Sequence, residues 1–106
     1  MAKKRDRYDD DAAEAEIVIV HCWLCERPMG DVIELHHPIP KSRGGKAREQ
    51  VHPICHRTIH DNLSNSDLER RFNTADALRG HEIIGRFVDW VANKPPDFDA
   101  PTKKGR

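Results

Sequence analysis

A chain of 106 residues with 37% hydrophobic and 6% aromatic content has room for one domain plus tails but only a small core, so a fold held by its core alone is excluded and a staple is expected. The 18 basic and 18 acidic side chains cancel, which removes whole-chain charge as a guide to partners and leaves its distribution to be read. The three cysteines, two of them spaced C-x-x-C, argue against a disulfide framework and for metal binding in a reducing compartment; no apolar run reaches the roughly 18 residues of a membrane span and the N-terminus lacks a signal-peptide stretch, so a cytoplasmic protein with no membrane partner is expected.

In chain order, residues 1–16 show no hydrophobic period and switch from basic to acidic, the pattern of a mobile tail, with a short helix open to residues 12–16. Ile17–Val20 is a β-branched run and predicts a strand. It leads into HCWLCERPMGD, where Cys22 and Cys25 followed by Gly30 suggest a tight turn aiming two thiolates at one ion. Asp31–Leu35 alternates as a strand, Pro38 and Pro40 interrupt pairing, and Gly44-Gly45 permits a reversal toward a second short strand at Glu49–Val51. Pro53 opens a predicted helix with Ile54, Ile59 and Leu63 as its apolar contacts. Further short helices follow: one from a capping box at Ser64 or Ser66 to about Phe72, one from Thr74 to Arg79 stopped by Gly80, and one over Glu82–Ala92 ended by Pro95-Pro96. The apolar stripe Ile83, Ile84, Phe87, Val88 and Val91, with Trp90, is expected to pack on the hairpin and metal core. The expected organisation is an α+β domain over 17–93 and a loose tail over 94–106.

Two constellations carry chemistry. Cys22-x-x-Cys25 and His52-x-x-Cys55 together offer three sulfurs and one nitrogen, the donor set of a closed tetrahedral zinc site with no open position. The 26 residues between the knuckles hold a histidine hairpin whose ends the zinc would clamp. His21 and His56 are rivals for the fourth position; His56, adjacent to Cys55, would be turned by roughly 100° from it on a helix, which favours His52. The second constellation is His36, His37, His56 and His60. A separation of four places His56 and His60 on one helix face, while strand alternation aims one of His36 and His37 at the helix and the other elsewhere. That division suits a divalent ion beside a general base, the combination that hydrolyses phosphodiesters. Residues 36–60 carry five basic side chains against one acid, and Lys41, Arg43, Lys46 and Arg57 are the expected contacts to a nucleic-acid backbone.

The order C-x-x-C, ELHHPIPKSRGG, VHPICHRTIH over residues 22–60 resembles the HNH endonucleases, and RFNTADALRGHEIIGRFVDWVANKPPDF is similar to the extension of small bacterial members. The resemblance implies the ββα-metal (His-Me finger) fold with a structural zinc knuckle and C-terminal short helices, and cleavage of DNA by nicking or, as a homodimer, on both strands. By position it implies His37 as general base, His36 and His60 as ligands of the catalytic ion, and His56 as a histidine touching metal or phosphate. Imidazole-rich ligation leaves Mg, Mn, Ni, Co and Zn all open for that ion. His52 stands where many members have Cys. The family's usual middle Asn has no counterpart between Gly45 and His52; Gln50 or a backbone carbonyl would have to replace it, and a catalytically inactive, zinc-stapled nucleic-acid-binding module is the rival expectation.

Overall fold

The computed structural model describes residues 19–102. The expected tail and helix over 1–16, Ile17 and Val18 of the expected strand, and residues 103–106 lie outside them. The described residues form a small α+β structure: β1 (Glu34–His36), a 3-10 turn at Lys41–Arg43, β2 (Glu49–Val51), then α1 (Pro53–Asn62), α2 (Asn65–Arg70), α3 (Ala75–Arg79) and α4 (Glu82–Val91). β1 and β2 are antiparallel, with Glu34 opposite Val51, Leu35 opposite Gln50 and His36 opposite Glu49.

The hairpin turns where Gly44 takes φ +86°, and its N–H donates to Lys41 O at 3.0 Å. Gly45 is required for a different reason: a Cβ there would lie 1.7 Å from Ile39 O. Pro53 opens α1 after His52, whose backbone is extended. The apolar face of α1 buries Ile54, Cys55 and Ile59 among Leu24, Val51, Leu68, Leu78, Ile84 and Val91, so α1 is the central element, packed on β1 and on α4.

The C-terminal helices begin where their caps predict. Of the two overlapping capping boxes the chain uses Ser64 with Asp67, each side chain accepting the other's backbone N–H at 3.1 Å. Thr74 caps α3 through Ala77 N–H, and the Nδ1 of His81 accepts from Ile83 and Ile84 N–H to cap α4. Within the α4 stripe Ile84 and Val91 are buried, while Ile83 and Trp90 are exposed, so the predicted packing holds for part of it.

Ile19 and Val20 do not form the expected strand: they are exposed, and Val20 contributes one carbonyl to the knuckle, accepting Met29 N–H at 2.8 Å. β-branched content favours a strand only where a partner strand is available, and β2 instead gives Gln50 O to Trp23 N–H at 2.8 Å. β1 also starts three residues later than the alternation suggested. Residues 95–102 carry no helix or strand, yet Phe98 and Ala100 pack on the core and Asp97 Oδ1 accepts from Asp31 N–H at 2.6 Å. No helix among the described residues is long and apolar enough to cross a membrane.

Candidate metal centres and cleft

The first centre is built by a knuckle and a helix start. Cys22 N–H donates to Arg27 O at 2.9 Å and Glu26 N–H to Cys22 O at 3.0 Å, with Glu26 in the left-handed region at φ +69°, so the loop closes tightly enough to turn both thiols inward. His52 precedes the first residue of α1 and Cys55 lies in its first turn. The donor atoms of Cys22, Cys25, His52 and Cys55 all lie within 4.8 Å of one another, and all four residues are buried.

His52 Nε2 donates to Pro28 O at 2.9 Å. That bond leaves Nδ1 as the lone-pair nitrogen, 3.3 Å from Cys25 Sγ and 3.8 Å from Cys55 Sγ. These separations match the edges of a tetrahedron with metal–ligand bonds of about 2.0–2.3 Å. The electrostatics agree, because three buried thiols at this range cannot ionise independently. Hydrogen bonds from the Cys25 and then the Cys55 side chain pull Cys22 well below the ordinary thiol range, whereas sharing with Cys22 pushes Cys25 and Cys55 up. A cation at the centre removes that conflict, and the cluster can hold a structural metal ion.

Arg27 was not foreseen in the sequence. It is 7% exposed, donates from Nε to Cys25 Sγ at 3.3 Å, and donates from Nη1 to Lys94 O at 3.2 Å and Pro95 O at 2.6 Å. One guanidinium thus joins the thiol cluster to the chain leaving α4. Those partners stand 67 and 68 residues away in sequence, where no local pattern could reveal them.

The second centre lies one turn further along α1. His36 from the end of β1 meets His56 and His60, with ring centroids 5.4 and 5.3 Å from His36 and 4.8 Å from each other. One donor atom of each lies within 4.8 Å of the others. His36 is fully buried, and neither ring nitrogen has a hydrogen-bond partner. Buried imidazoles rarely stay unsatisfied, so the orphaned nitrogens are an observation in favour of an ion at this point. Burial first, then the neighbouring His60, His56 and His37, hold the His36 pKa down to about 3, and partial desolvation of the ring, then the neighbouring His56, lower that of His60, which stays exposed as a whole residue. The His36 ring is therefore neutral at physiological pH, and the shift of His60 runs in the same direction, toward the form with a lone pair for coordination.

His37 stands outside this trio, as alternation predicted. It lines a cleft of about 290 Å³ with Leu35, Pro40, Lys41, Ser42, His56, His60 and Asn65. Of the four expected backbone contacts, Lys41 alone is in that lining. Arg43 pairs with Glu69 at 3.0 Å, Arg57 pairs with Asp99 at 2.5 Å, and Lys46 borders a separate hollow with Ile39 and Asn73. Gln50 is not in the cleft either; Asn65, at the start of α2, is, with Nδ2 3.4 Å from Ser42 Oγ.

Over 85 residues the chain is 35% identical to "Uncharacterized protein YisB" of Bacillus subtilis (strain 168), a match covering 78% of this chain and 84% of that protein. The chain belongs to the YisB family. No protein-family model and no solved structure matches it.

Proposed function

We propose that this member of the YisB family is an HNH-type, metal-dependent endonuclease that hydrolyses DNA phosphodiester bonds, with zinc in the Cys22, Cys25, His52, Cys55 centre. The observation that carries the reading is His36, buried with both nitrogens unpartnered beside His56 and His60, which line a cleft together with His37 and Lys41. The succession β1, β2, α1, with histidines contributed by the strand and the helix, supports a ββα-metal core.

A divalent ion on His36, His56 and His60 would supply Lewis-acid polarisation of the phosphate and charge relief on the departing oxygen. The residues supply the rest. Lys41 draws the phosphate into the cleft, and Ser42 and Asn65 offer it neutral hydrogen bonds. His37, held beyond the trio, takes the proton of the attacking water at a ring nitrogen and later returns it to solvent. Contacts confined to phosphate give little sequence preference. One such cleft cuts one strand, and a homodimer would present two.

The test is incubation of zinc-loaded protein with supercoiled plasmid and Mg, Mn, Ni or Co ions, beside a His37→Ala control. Nicked or linear product that disappears in the variant is the expected result. Absence of cleavage with every ion overturns the reading. Retained DNA binding would then point to the binding module, which is favoured by one observation, the lack of Asn between Gly45 and His52.

A further inference from the structure

Glu34 and His36 are two apart on β1 and so share a face, the one turned to α1, while Leu35 between them is exposed. His36 enters the histidine trio. Glu34 reaches the same helix one step earlier and places Oε1 2.9 Å from His56 Nδ1. The donor atoms that converge within 4.8 Å belong to His36, His56 and His60, and Glu34 is not among them. Its carboxylate therefore sits behind the trio, against one of its rings. With Nδ1–H donated to Glu34, His56 has its lone pair on Nε2, the nitrogen left for the cluster.

We infer that Glu34 is a positioning residue for the histidine centre: it fixes the tautomer and ring orientation of His56 and so raises the affinity of the trio for a divalent ion. The inference rests on the reading of the trio as an ion site and goes beyond it by assigning a residue outside the ligand set. A carboxylate on the far nitrogen of a ligating imidazole orients the ring and makes it a stronger donor. Three features of this chain single out Glu34 for the role. The pair joins strand to helix, so Glu34 holds the two halves of the centre in register. His56 is the one member of the trio with a charged partner, since His36 has none and His60 shows no ion pair among the described residues. The pair is also open to solvent, with 24% of the His56 and 44% of the Glu34 side chain exposed. A hydrogen-bonded pair that exposed contributes little to stability, so a structural role alone predicts almost no effect on its removal.

The experiment uses full-length protein with the Cys22, Cys25, His52, Cys55 centre already loaded with zinc. Titration calorimetry with Co(II) and with Ni(II) measures uptake at the second centre in wild type, Glu34→Gln and Glu34→Ala. Nitrogen-15 spectra of the histidine rings, recorded before the second ion is added, report the His56 tautomer independently of any activity. We expect affinity to fall about 10–100-fold in Glu34→Ala, and to fall less in Glu34→Gln, whose amide oxygen still accepts the Nδ1 proton. We also expect His56 to be protonated at Nδ1 in wild type and in Glu34→Gln, and to become a mixture of tautomers in Glu34→Ala. Equal affinities with an unchanged tautomer in Glu34→Ala would overturn the role of Glu34 while leaving the ion site standing. Wild type that takes up no second ion would overturn the ion site and the inference together, and His60→Ala, which lacks a ligand, shows what that outcome looks like.

Discussion

Cys55 and His56 are neighbours in sequence, yet they belong to different centres. The helix turns by roughly 100° per residue, so the first turn of α1 faces the knuckle and the next face of the same helix meets β1. The two centres differ in closure. Around the thiols all four donor residues are buried, and His52 Nε2 and Arg27 find backbone carbonyls. Around the histidines burial falls from His36 through His56 to the exposed His60, next to a cleft. A closed set of four protein donors suits structure, and an open set of three beside a cavity suits chemistry. The same ten-residue helix serves both, so an ion held at one centre would fix the geometry of the other.

That contrast is most sharply broken by removing one donor from each centre. Cys55→Ala is expected to unfold the domain, because metal binding at such sites contributes on the order of 10 kcal/mol to folding and the core around it is small. Loss of the near-ultraviolet circular dichroism signal, reproduced in wild type by a strong chelator, checks this. His60→Ala should leave that signal and the zinc content intact while second-ion uptake disappears. If both variants unfold, the division into a structural and a chemical centre is wrong. On the proposed reaction, His37→Ala should lower the plasmid-nicking rate by about 10²–10⁴-fold without changing ion uptake at either centre.

Arg27 tests whether the closed centre is sealed by more than its ligands. Arg27→Ala strips a hydrogen bond from Cys25 and leaves Lys94 O and Pro95 O without their donor. A loss of about 1–3 kcal/mol in urea unfolding is expected, the cost of leaving one buried group, Cys25 Sγ, without its donor, since the two carbonyls belong to part-buried bonds that water can replace. Faster zinc release, followed with a chromogenic chelator, should accompany it. Arg27→Lys should recover little, since a single ammonium cannot reach sulfur and both carbonyls with the fork of a guanidinium.

Much of this arrangement was legible in the sequence because its signals are local. Ser64, Thr74 and Pro53 start helices by chemistry confined to one turn, and each helix begins where its cap stands. The C-x-x-C and H-x-x-C pairs each bring two donors together by spacing alone, and the 4.8 Å cluster joins them. The misses share a cause. Ile19 and Val20 have the composition of a strand, but the chain bonds to β2 further on, where Trp23 N–H donates to Gln50 O. For Arg43 and Arg57, expected at phosphate, what the spacing does not show is the ion pairs with Glu69 and Asp99, which meet them from 26 and 42 residues away. Basic character is readable in a sequence, and the tertiary partner that neutralises it is not. Glu34 lies between these cases: its place two residues before His36 was a readable signal, whereas its partner His56 required the helix to be docked.

The smallest effect concerns the wall of the open centre. The first residue of α2, Asn65, lines the cleft, and the capping box of Ser64 and Asp67 fixes where that helix begins. If the cleft wall is held by weak local terms, in contrast to the closed thiol centre, then Ser64→Ala should cost only about 1 kcal/mol in thermal or urea unfolding. Asp67 gives the same contrast a pH signature. Hydrogen bonds from the backbone and side chain of Ser64, and then Arg71, hold its carboxyl below the usual value of 3.8. A carboxyl whose folded pKa is depressed binds a proton more readily in the unfolded chain, so its stabilisation is fully present above the unfolded value and is lost as pH falls through the folded one. Asp67→Asn should therefore melt slightly below wild type near neutrality, and the two melting curves should converge as the pH is taken below 3.8. A gap that stays constant through that range would show that the carboxylate charge contributes nothing to the cap, leaving the Ser64 hydroxyl as the group that sets the cleft wall.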